Sequence, residues 1–335
     1  MNDEFYMRLA IDEAWKYQGV TYPNPAVGCV VLDSNSKLLS INAHKKAGEP
    51  HAEVLALKEA YLKNGGNKEL ANITDAQSIH NFLYKNHNNI LKDSTVYVTL
   101  EPCNHHGKTP PCSLLLSKLN IQRVVIAHND LNEKASGGIE FLKQNSISVT
   151  TGVLNKEAHN LLEPFLHWQK SNFVLFKWAQ RLNGSLDGGT ISSNSSRILS
   201  HKIRSVCDLL VIGGNTVRVD SPTLDARLCN AKAPNVLIYS KEKNFEKTIP
   251  LFNVKNREVI IKDNFNELKN RKFVFVEGSP TLLDKMSEEI NWLMVFISPK
   301  MQNGKSMQTL NKNYEIIHQQ KIDSDILIWM RKSSE

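Results

Sequence analysis

Four side chains in two short stretches could together do hydrolytic chemistry: His51 and Glu53 in "GEPHAEV" (Gly48 to Val54), and Cys103 and Cys112 in "LEPCNHHGKTPPC" (Leu100 to Cys112). One imidazole and two thiolates are ligands zinc prefers, and three protein ligands leave a fourth tetrahedral position for water, as catalytic sites do and structural sites do not. Bound zinc lowers the pKa of water from about 15.7 to about 7, roughly 12 kcal/mol in favour of hydroxide, whereas a carboxylate base alone supplies about 10²- to 10⁴-fold. The metal then carries most of the activation of the nucleophile. Glu53 is left to take the proton from water and pass it to a leaving amine. An H-x-E alone is weak and a cysteine pair is commonly core, so a structural zinc, or no metal, is the competing reading. Four such residues in order, each beside a helix start or a strand end, favour the catalytic arrangement.

Positions two apart on a helix point to different faces, so His51 must sit at or before the first turn if it shares a site with Glu53. Pro50 just before it is consistent with that. Cys112 falls likewise in the first turn after Pro111, where the partial positive charge of a helix end favours the thiolate. The flanking pattern supplies these elements. "NDEFYMRLAIDEAW" reads as a helix capped by Asn2 or Asp3, with Phe5, Leu9 and the Ala14/Trp15 region as its apolar stripe. "AVGCVVL", "STVYVTL" and "RVVIAH" read as strands, and His51 to Asn64 and "PPCSLLLSKLN" as helices. The Asn-rich stretch from Gly65 to Asp93 reads as a surface insertion with His80 and His87 solvated. "NKEAHNLLEPFLHWQK" reads as a connecting helix. A second series follows through "FVLFKWAQ", "DLLVIGG", "NVLIYS", "REVIIK", "FVFVEG" and "NWLMVFISP". Strands alternating with helices predict an α/β architecture in two domains, 1–150 and 151–335.

Composition sets the outer limits. The chain has 335 residues, 41% hydrophobic and 22% charged, which is ordinary for a globular protein of about two domains. Apolar runs such as Trp292 to Ile297 reach about six residues against the roughly 18 a bilayer span needs, so no membrane partner and a cytoplasmic location are expected. Five cysteines, an odd number, argue against a disulfide framework. A net charge of +7 and a pI near 9.0 suit an anionic partner. The basic residues are spread out, without aromatic-interleaved clusters, which favours a phosphorylated small molecule over nucleic acid.

The quartet, with its H-x-E and P-C signature of zinc deaminases, lies inside longer stretches that carry a family resemblance: "TYPNPAVGCVV", "AHKKAGEPHAEVLALKEA", "TVYVTLEPCNHHGKTPPC", "RSVCDLLVIGGNTVRVDSPTLDARL" and "VEGSPTLL". With these the chain resembles the bifunctional deaminase/reductase family of riboflavin biosynthesis, RibD (RibG) type, over nearly its whole length. The resemblance implies an N-terminal cytidine-deaminase-like three-layer α/β/α domain with a mixed sheet, binding one Zn²⁺ per chain. It implies hydrolysis of the ring amino group of a diamino-phosphoribosylamino-pyrimidinone. His51, Cys103 and Cys112 match the family's zinc ligands and Glu53 its proton shuttle. Asn24, His44, His105 and Lys108 match positions near the substrate's ring and phosphate. It also implies a C-terminal dihydrofolate-reductase-like α/β domain that uses NADPH to reduce the ribosyl group to ribityl, with Lys177, Arg204, Asp220, Arg227 and Glu277 at substrate-binding or active-site positions. A homo-oligomer is expected.

From the residues alone, the second half offers less. No G-x-G-x-x-G follows a strand, so the usual dinucleotide fingerprint is missing. Two strand-to-helix corners could hold a dinucleotide's phosphates: Gly213, Gly214 and Thr216 in "LLVIGGNTV", and Gly278 and Ser279 in "FVFVEGSPTLL". Tight packing is the other reading of each corner. Without the resemblance, Arg204 and Arg227 read as solvated charges. Several positions depart from the family pattern: K-x-A-x-S-L-D-G becomes "KWAQRLNG", with Arg181 for Ser and Asn183 for Asp, unless "SLDG" at Ser185 to Gly188 is the matching segment. Thr190, Asn215 and Ser279 also depart. Two other functions use the same residues: an active deaminase joined to a reductase-dead binding or oligomerisation domain, and a nucleic-acid base deaminase.

Overall fold

The first helix starts where its cap dictates: the Asn2 side chain accepts from Phe5 N at 3.1 Å, and α1 runs Asp3–Trp15. Its buried face is Met7, Ala10, Ile11, Ala14 and Trp15, at helical spacing. The expected stripe was misplaced at one end. Phe5 is 55% exposed, because it lies two residues before Met7, about 200° round the helix; it rests edge-on against Tyr6.

The computed structural model describes residues 2–105, 107, 110–130, 136–306 and 312–333. The chain divides into two compact units, Met1–Phe165 and Leu166–Glu335. After α1, the first unit contains β1 (Gly28–Leu32), β2 (Leu38–Ala43), α2 (Ala52–Lys63), α3 (Ala76–Asn86), β3 (Thr95–Leu100), α4 (Cys112–Lys118), β4 (Arg123–His128), α5 (Gly138–Gln144) and β5 (Ser148–Thr151). The sheet order is β2-β1-β3-β4-β5, with β1 antiparallel to both neighbours and β3, β4 and β5 parallel. Alternate strand residues face opposite layers. Cys29, Val31, Val96, Val98, Val124 and Ile126 join the core that also takes in residues of α2, α3, α4 and α5. On the other face, Tyr97 meets Tyr6 of α1 and donates its hydroxyl to Asp3 Oδ1 at 2.9 Å. The result is a three-layer α/β/α unit with a mixed sheet.

Residues 65–93 are not a solvated insertion. Asp75 caps α3, accepting from Ser78 N at 2.8 Å, and Leu70, Ile79 and Leu83 are fully buried in the same core. His80 is 2% exposed, stacked on Tyr84, with Nε2 3.4 Å from the Pro111 carbonyl oxygen. His87, at the end of α3, is half-buried. Ala76, Ile79, His80 and Leu83 give α3 an inward face at positions i, i+3, i+4 and i+7, a period that the surrounding asparagines and lysines conceal in any composition-based reading.

Helix α6 (Asn155–Lys170) leads into the second unit, which holds β6 (Phe173–Arg181), α7 (Asn194–Val206), β7 (Leu209–Gly213), α8 (Gly214–Asp220), β8 (Val236–Tyr239), β9 (Val259–Lys262), β10 (Phe273–Glu277), α9 (Pro280–Lys285), β11 (Trp292–Ser298), β12 (Tyr314–Ile322) and β13 (Asp325–Lys332). The sheet order among the described residues is β12-β13-β11-β6-β10-β7-β8-β9. Strands β6 to β11 run parallel and the β12–β13 hairpin closes one side antiparallel. The parallel strands are near-continuous apolar runs, as strands covered on both faces must be. Their carboxyl ends share one edge, where open α/β sheets bind ligands. Among the described residues no helix is long and apolar enough to cross a membrane.

Candidate functional site

In the first unit the local chain path places the quartet. His51 is the N-cap of α2 in extended conformation (ψ 160°), so its ring leaves the helix axis while Glu53 stands in the first turn. Pro111 caps α4 and Cys112 is its first residue; Cys103 follows β3 by three residues. The two prolines thus sit just outside their helices, where a missing N–H costs nothing. His51 Nδ1 lies 3.8 Å from Cys103 Sγ and 3.5 Å from Cys112 Sγ, and the three ligand atoms fall within 4.8 Å of one another. Tetrahedral zinc, with nitrogen at about 2.0–2.1 Å and sulfur at about 2.3 Å, places such atoms about 3.6 Å apart. The donor set and its spacing fit that ion.

Cys112 N donates to Cys103 Sγ at 3.4 Å. The Cys103 thiol is drawn down to about 4, first by its hydrogen bond with Cys112 and then by His51, while His51 is raised to about 9 chiefly by Cys103. Cys112 is pushed up by Cys103 and by burial. A metal takes the place of such shared protons, since its ligands bind deprotonated. Glu53 is 4% exposed, and burial raises its carboxyl against the pull of His51, a setting that suits a proton carrier.

His51, Glu53 and Cys103 line a cavity of about 280 Å³ together with Asn24, His44, Glu101, His105, Asp130 and others. His44 is 3% exposed, and burial lowers its pKa. Its Nδ1 lies 3.0 Å from the Pro50 carbonyl oxygen, which can only accept, so Nδ1 carries the proton. Nε2 then accepts from Asn24 Nδ2 at 3.1 Å. This relay fixes the Asn24 amide and leaves its oxygen as an acceptor on the cavity wall. Lys108 lies outside the described residues.

Glu101 is the cavity residue that pattern reading missed. It is 6% exposed and its carboxylate accepts three backbone N–H groups: Gly137 at 3.0 Å, Ile139 at 3.1 Å and Asp130 at 3.1 Å. Its only sequence signal is its place next to Pro102-Cys103, which does not tell an anchor from a reacting group. Gly138 completes the junction, since a Cβ there would stand 2.0 Å from the Pro102 carbonyl oxygen.

In the second unit Lys177 and Glu277 are register partners on neighbouring strands β6 and β10. Lys177 Nζ lies 3.5 Å from Glu277 Oε2, and Arg204 Nε, from α7, lies 2.5 Å from Oε1. Burial alone would raise the Glu277 carboxyl, but Arg204 and Lys177 hold it down at about 2. Arg204 is no solvated charge: its side chain is 12% exposed, and its Nη1 also donates to the Asp225 carbonyl at 3.1 Å. Arg227 is 58% exposed and pairs with the Asp225 carboxylate at 3.0 Å. Asp220, the exposed last residue of α8, has no hydrogen bond or ion pair with Lys177, Arg204 or Glu277.

The glycine corners differ. A Cβ on Gly214 would stand 2.6 Å from Ser240 Cβ, and one on Gly278 would stand 2.6 Å from Phe176 Cζ, so close packing accounts for both. Gly213 faces open space, with Thr216 Oγ1 the nearest atom at 3.9 Å. That opening lies at the carboxyl end of β7, the sheet edge where open α/β folds bind ligands. Helix α8 begins at Gly214, which places Thr216 in its first turn, and Ser279 is the N-cap of α9.

Residues 1–128 match the cytidine and deoxycytidylate deaminase zinc-binding region, and residues 172–327 match the RibD C-terminal domain. The riboflavin biosynthesis protein RibD of Aquifex aeolicus is 34% identical over 342 residues, which cover 89% of this chain and 87% of that protein. RibD of Mycobacterium tuberculosis is 31% identical over 316 residues, covering 89% and 85%. Among solved structures, a diaminohydroxyphosphoribosylaminopyrimidine deaminase/5-amino-6-(5-phosphoribosylamino)uracil reductase from Thermotoga maritima superposes with a TM-score of 0.67 at 27% identity, covering 99% of both chains.

Proposed function

The chain belongs to the RibD family of riboflavin biosynthesis proteins and is a bifunctional deaminase and reductase, and on that premise we propose what each half binds and which residues do the work. The first unit deaminates 2,5-diamino-6-(5-phosphoribosylamino)pyrimidin-4(3H)-one. His51, Cys103 and Cys112 hold one zinc, which supplies Lewis-acid activation of water at neutral pH. Glu53 takes one proton from the attacking water and delivers it to the departing nitrogen; a carbon–oxygen bond forms at the ring, the carbon–nitrogen bond breaks, and ammonia leaves. Asn24 orients the ring through the amide oxygen that His44 frees, and His105 and Lys108 serve the ring and phosphate side. The observation that carries this reading is the convergence of one imidazole nitrogen and two sulfurs within 4.8 Å beside a buried glutamate.

The second unit reduces the ribosyl group of the deaminated intermediate to ribityl. NADPH, when bound, supplies the hydride. Gly213, Gly214, Thr216, Gly278 and Ser279 form its bed, with Gly213 offering the open backbone and Gly214 and Gly278 drawing neighbouring elements close. Lys177, Arg204, Asp220, Arg227 and Glu277 bind the phosphorylated intermediate. Arg227, exposed at its rim, is the guanidinium a phosphate can reach from solvent. The dihydrofolate-reductase-like reading of this unit and assembly as a homo-oligomer belong to the same proposal; light scattering in solution tests the assembly.

Metal analysis of the purified chain beside two variants tests the deaminase. About one zinc per chain is expected in the parent, with metal and ammonia release both lost in Cys103→Ser. Glu53→Gln should keep its zinc and lose at least about 10²-fold in ammonia release, because the shuttle is not a ligand. Activity in a metal-free Cys103→Ser chain would overturn the mechanism.

A further inference from the structure

The last residue of β6 is a buried cation with no carboxylate partner among the described residues. Arg181 is 3% exposed, and among the described residues no carboxylate lies within ion-pair distance of its guanidinium. Burying a charge is costly unless its hydrogen bonds are met. Here they are met by the loop that follows. Nη1 donates to the Asp187 carbonyl and lies 3.5 Å from Ser185 Oγ, and Nη2 donates to the Gly188 carbonyl at 2.9 Å. The backbone closes the same hook, with Gly184 N donating to Arg181 O at 2.8 Å and Arg181 N to Ser185 O at 3.0 Å.

The outer side of this loop is tied separately. Leu182 N donates to the Lys300 carbonyl at 3.0 Å, Leu186 N to that of Lys305 at 2.8 Å, and Lys305 N to Asp187 Oδ2 at 2.8 Å. Two consecutive glycines, Gly188 and Gly189, with φ of 82° and 81°, release the chain beyond. The guanidinium is therefore the internal brace of residues 182–188.

That loop stands at the carboxyl end of β6, the strand between β10 and β11. Strand alternation puts Arg181 on the same face as Lys177, four residues earlier. From this placement we propose that Arg181 is a positioning residue of the reductase: its fork holds the backbone of Ser185 to Gly188 as a fixed wall at the carboxyl end of β6, on the strand face that carries Lys177. The inference rests on the reductase reading given above. The turn at Gly184 folds "SLDG" back onto Arg181, so the arginine braces that segment from below.

Arg181→Ser and Arg181→Lys in the full-length chain test this, with three measurements: the NADPH dissociation constant by fluorescence, reductase kcat and KM, and amide exchange across residues 182–189. Ammonia release by the same chains controls for folding. In Arg181→Ser the NADPH dissociation constant and the KM for the deaminated substrate should each rise about 10-fold or more, since small misplacements of binding groups cost that much, while kcat and ammonia release hold. Exchange across the loop should quicken. Arg181→Lys should recover only part, because an ammonium cannot serve two carbonyls as a planar fork does. A purely architectural role would speed exchange and leave both constants within about twofold, and that result overturns the proposal. If the parent chain binds no NADPH, the reductase reading falls and the positioning role with it; unchanged loop protection in Arg181→Ser overturns the proposal in either case.

Discussion

Glu53 and Glu101 are two carboxylates on the wall of one cavity, and their surroundings divide their work. The Glu101 oxygens are committed to three backbone N–H groups, which leaves it an anchor for the ends of the segment from Asp130 to Ile139. Glu53 stands buried beside the candidate metal ligands with its carboxyl raised by burial, a setting that suits proton transfer. In the other unit Glu277 is the reverse case. Held at about 2 by Arg204 and Lys177 against the effect of burial, it lies below the value of about 4.3 for an unfolded glutamate. A group depressed in the folded state contributes stability above its unfolded pKa and loses it as pH falls towards the folded one. Urea unfolding of the parent should therefore show an acid-side loss between about pH 4 and pH 2 that Glu277→Gln lacks. At neutral pH that variant should cost about 3–5 kcal/mol, because it leaves two buried cations without their counter-charge. Equal neutral-pH stability of parent and variant would show that the trio is not a coupled buried cluster.

At the scale of elements, adjacent glycines at the β7–α8 corner separate packing from binding. Gly214→Ala puts a methyl group 2.6 Å from Ser240 Cβ and should destabilise the chain by about 1–3 kcal/mol, as overpacking does. Gly213→Ala meets only Thr216 Oγ1 at 3.9 Å; it should fold as the parent does and bind NADPH more weakly. Thermal melts and NADPH titration of the two variants check this, and unaltered NADPH affinity in Gly213→Ala would remove Gly213 from the binding bed. Helix α3 carries the opposite lesson. Its charged and amide residues hide four inward positions, and a stretch rich in Asn and Lys turns out to bury Leu70, Ile79 and Leu83 completely.

For the whole molecule, the candidate metal ligands His51, Cys103 and Cys112 lie in the unit Met1–Phe165 and the Lys177–Arg204–Glu277 cluster in the unit Leu166–Glu335. Chelating the zinc from the intact chain should stop ammonia release while NADPH oxidation with the deaminated intermediate continues at the parent rate. Parallel loss of both activities would mean that the metal supports the second unit as well. The net charge of +7 suits anionic small-molecule substrates such as the phosphorylated pyrimidines proposed above.

Much of this was legible in the residues themselves. The central strands of both units announce themselves as short β-branched runs between turn residues, whereas β2, β5 and the β12–β13 hairpin do not, and the prolines before His51 and Cys112 mark helix openings, because these are local preferences of the backbone. The zinc-type quartet is legible for the same reason: each ligand's direction is set by its own cap or strand end. What depends on partners distant in sequence was not. Phe5 lies outside the buried stripe although its type is that of a core residue, while His80 is interior, Arg204 is paired and Arg181 is folded under the next loop although their types are those of surface residues. A side chain's propensity is written in its chemistry, but the fate of a charge or an imidazole is decided by which carbonyls and carboxylates the sheet order brings alongside it, and only the folded chain contains that information.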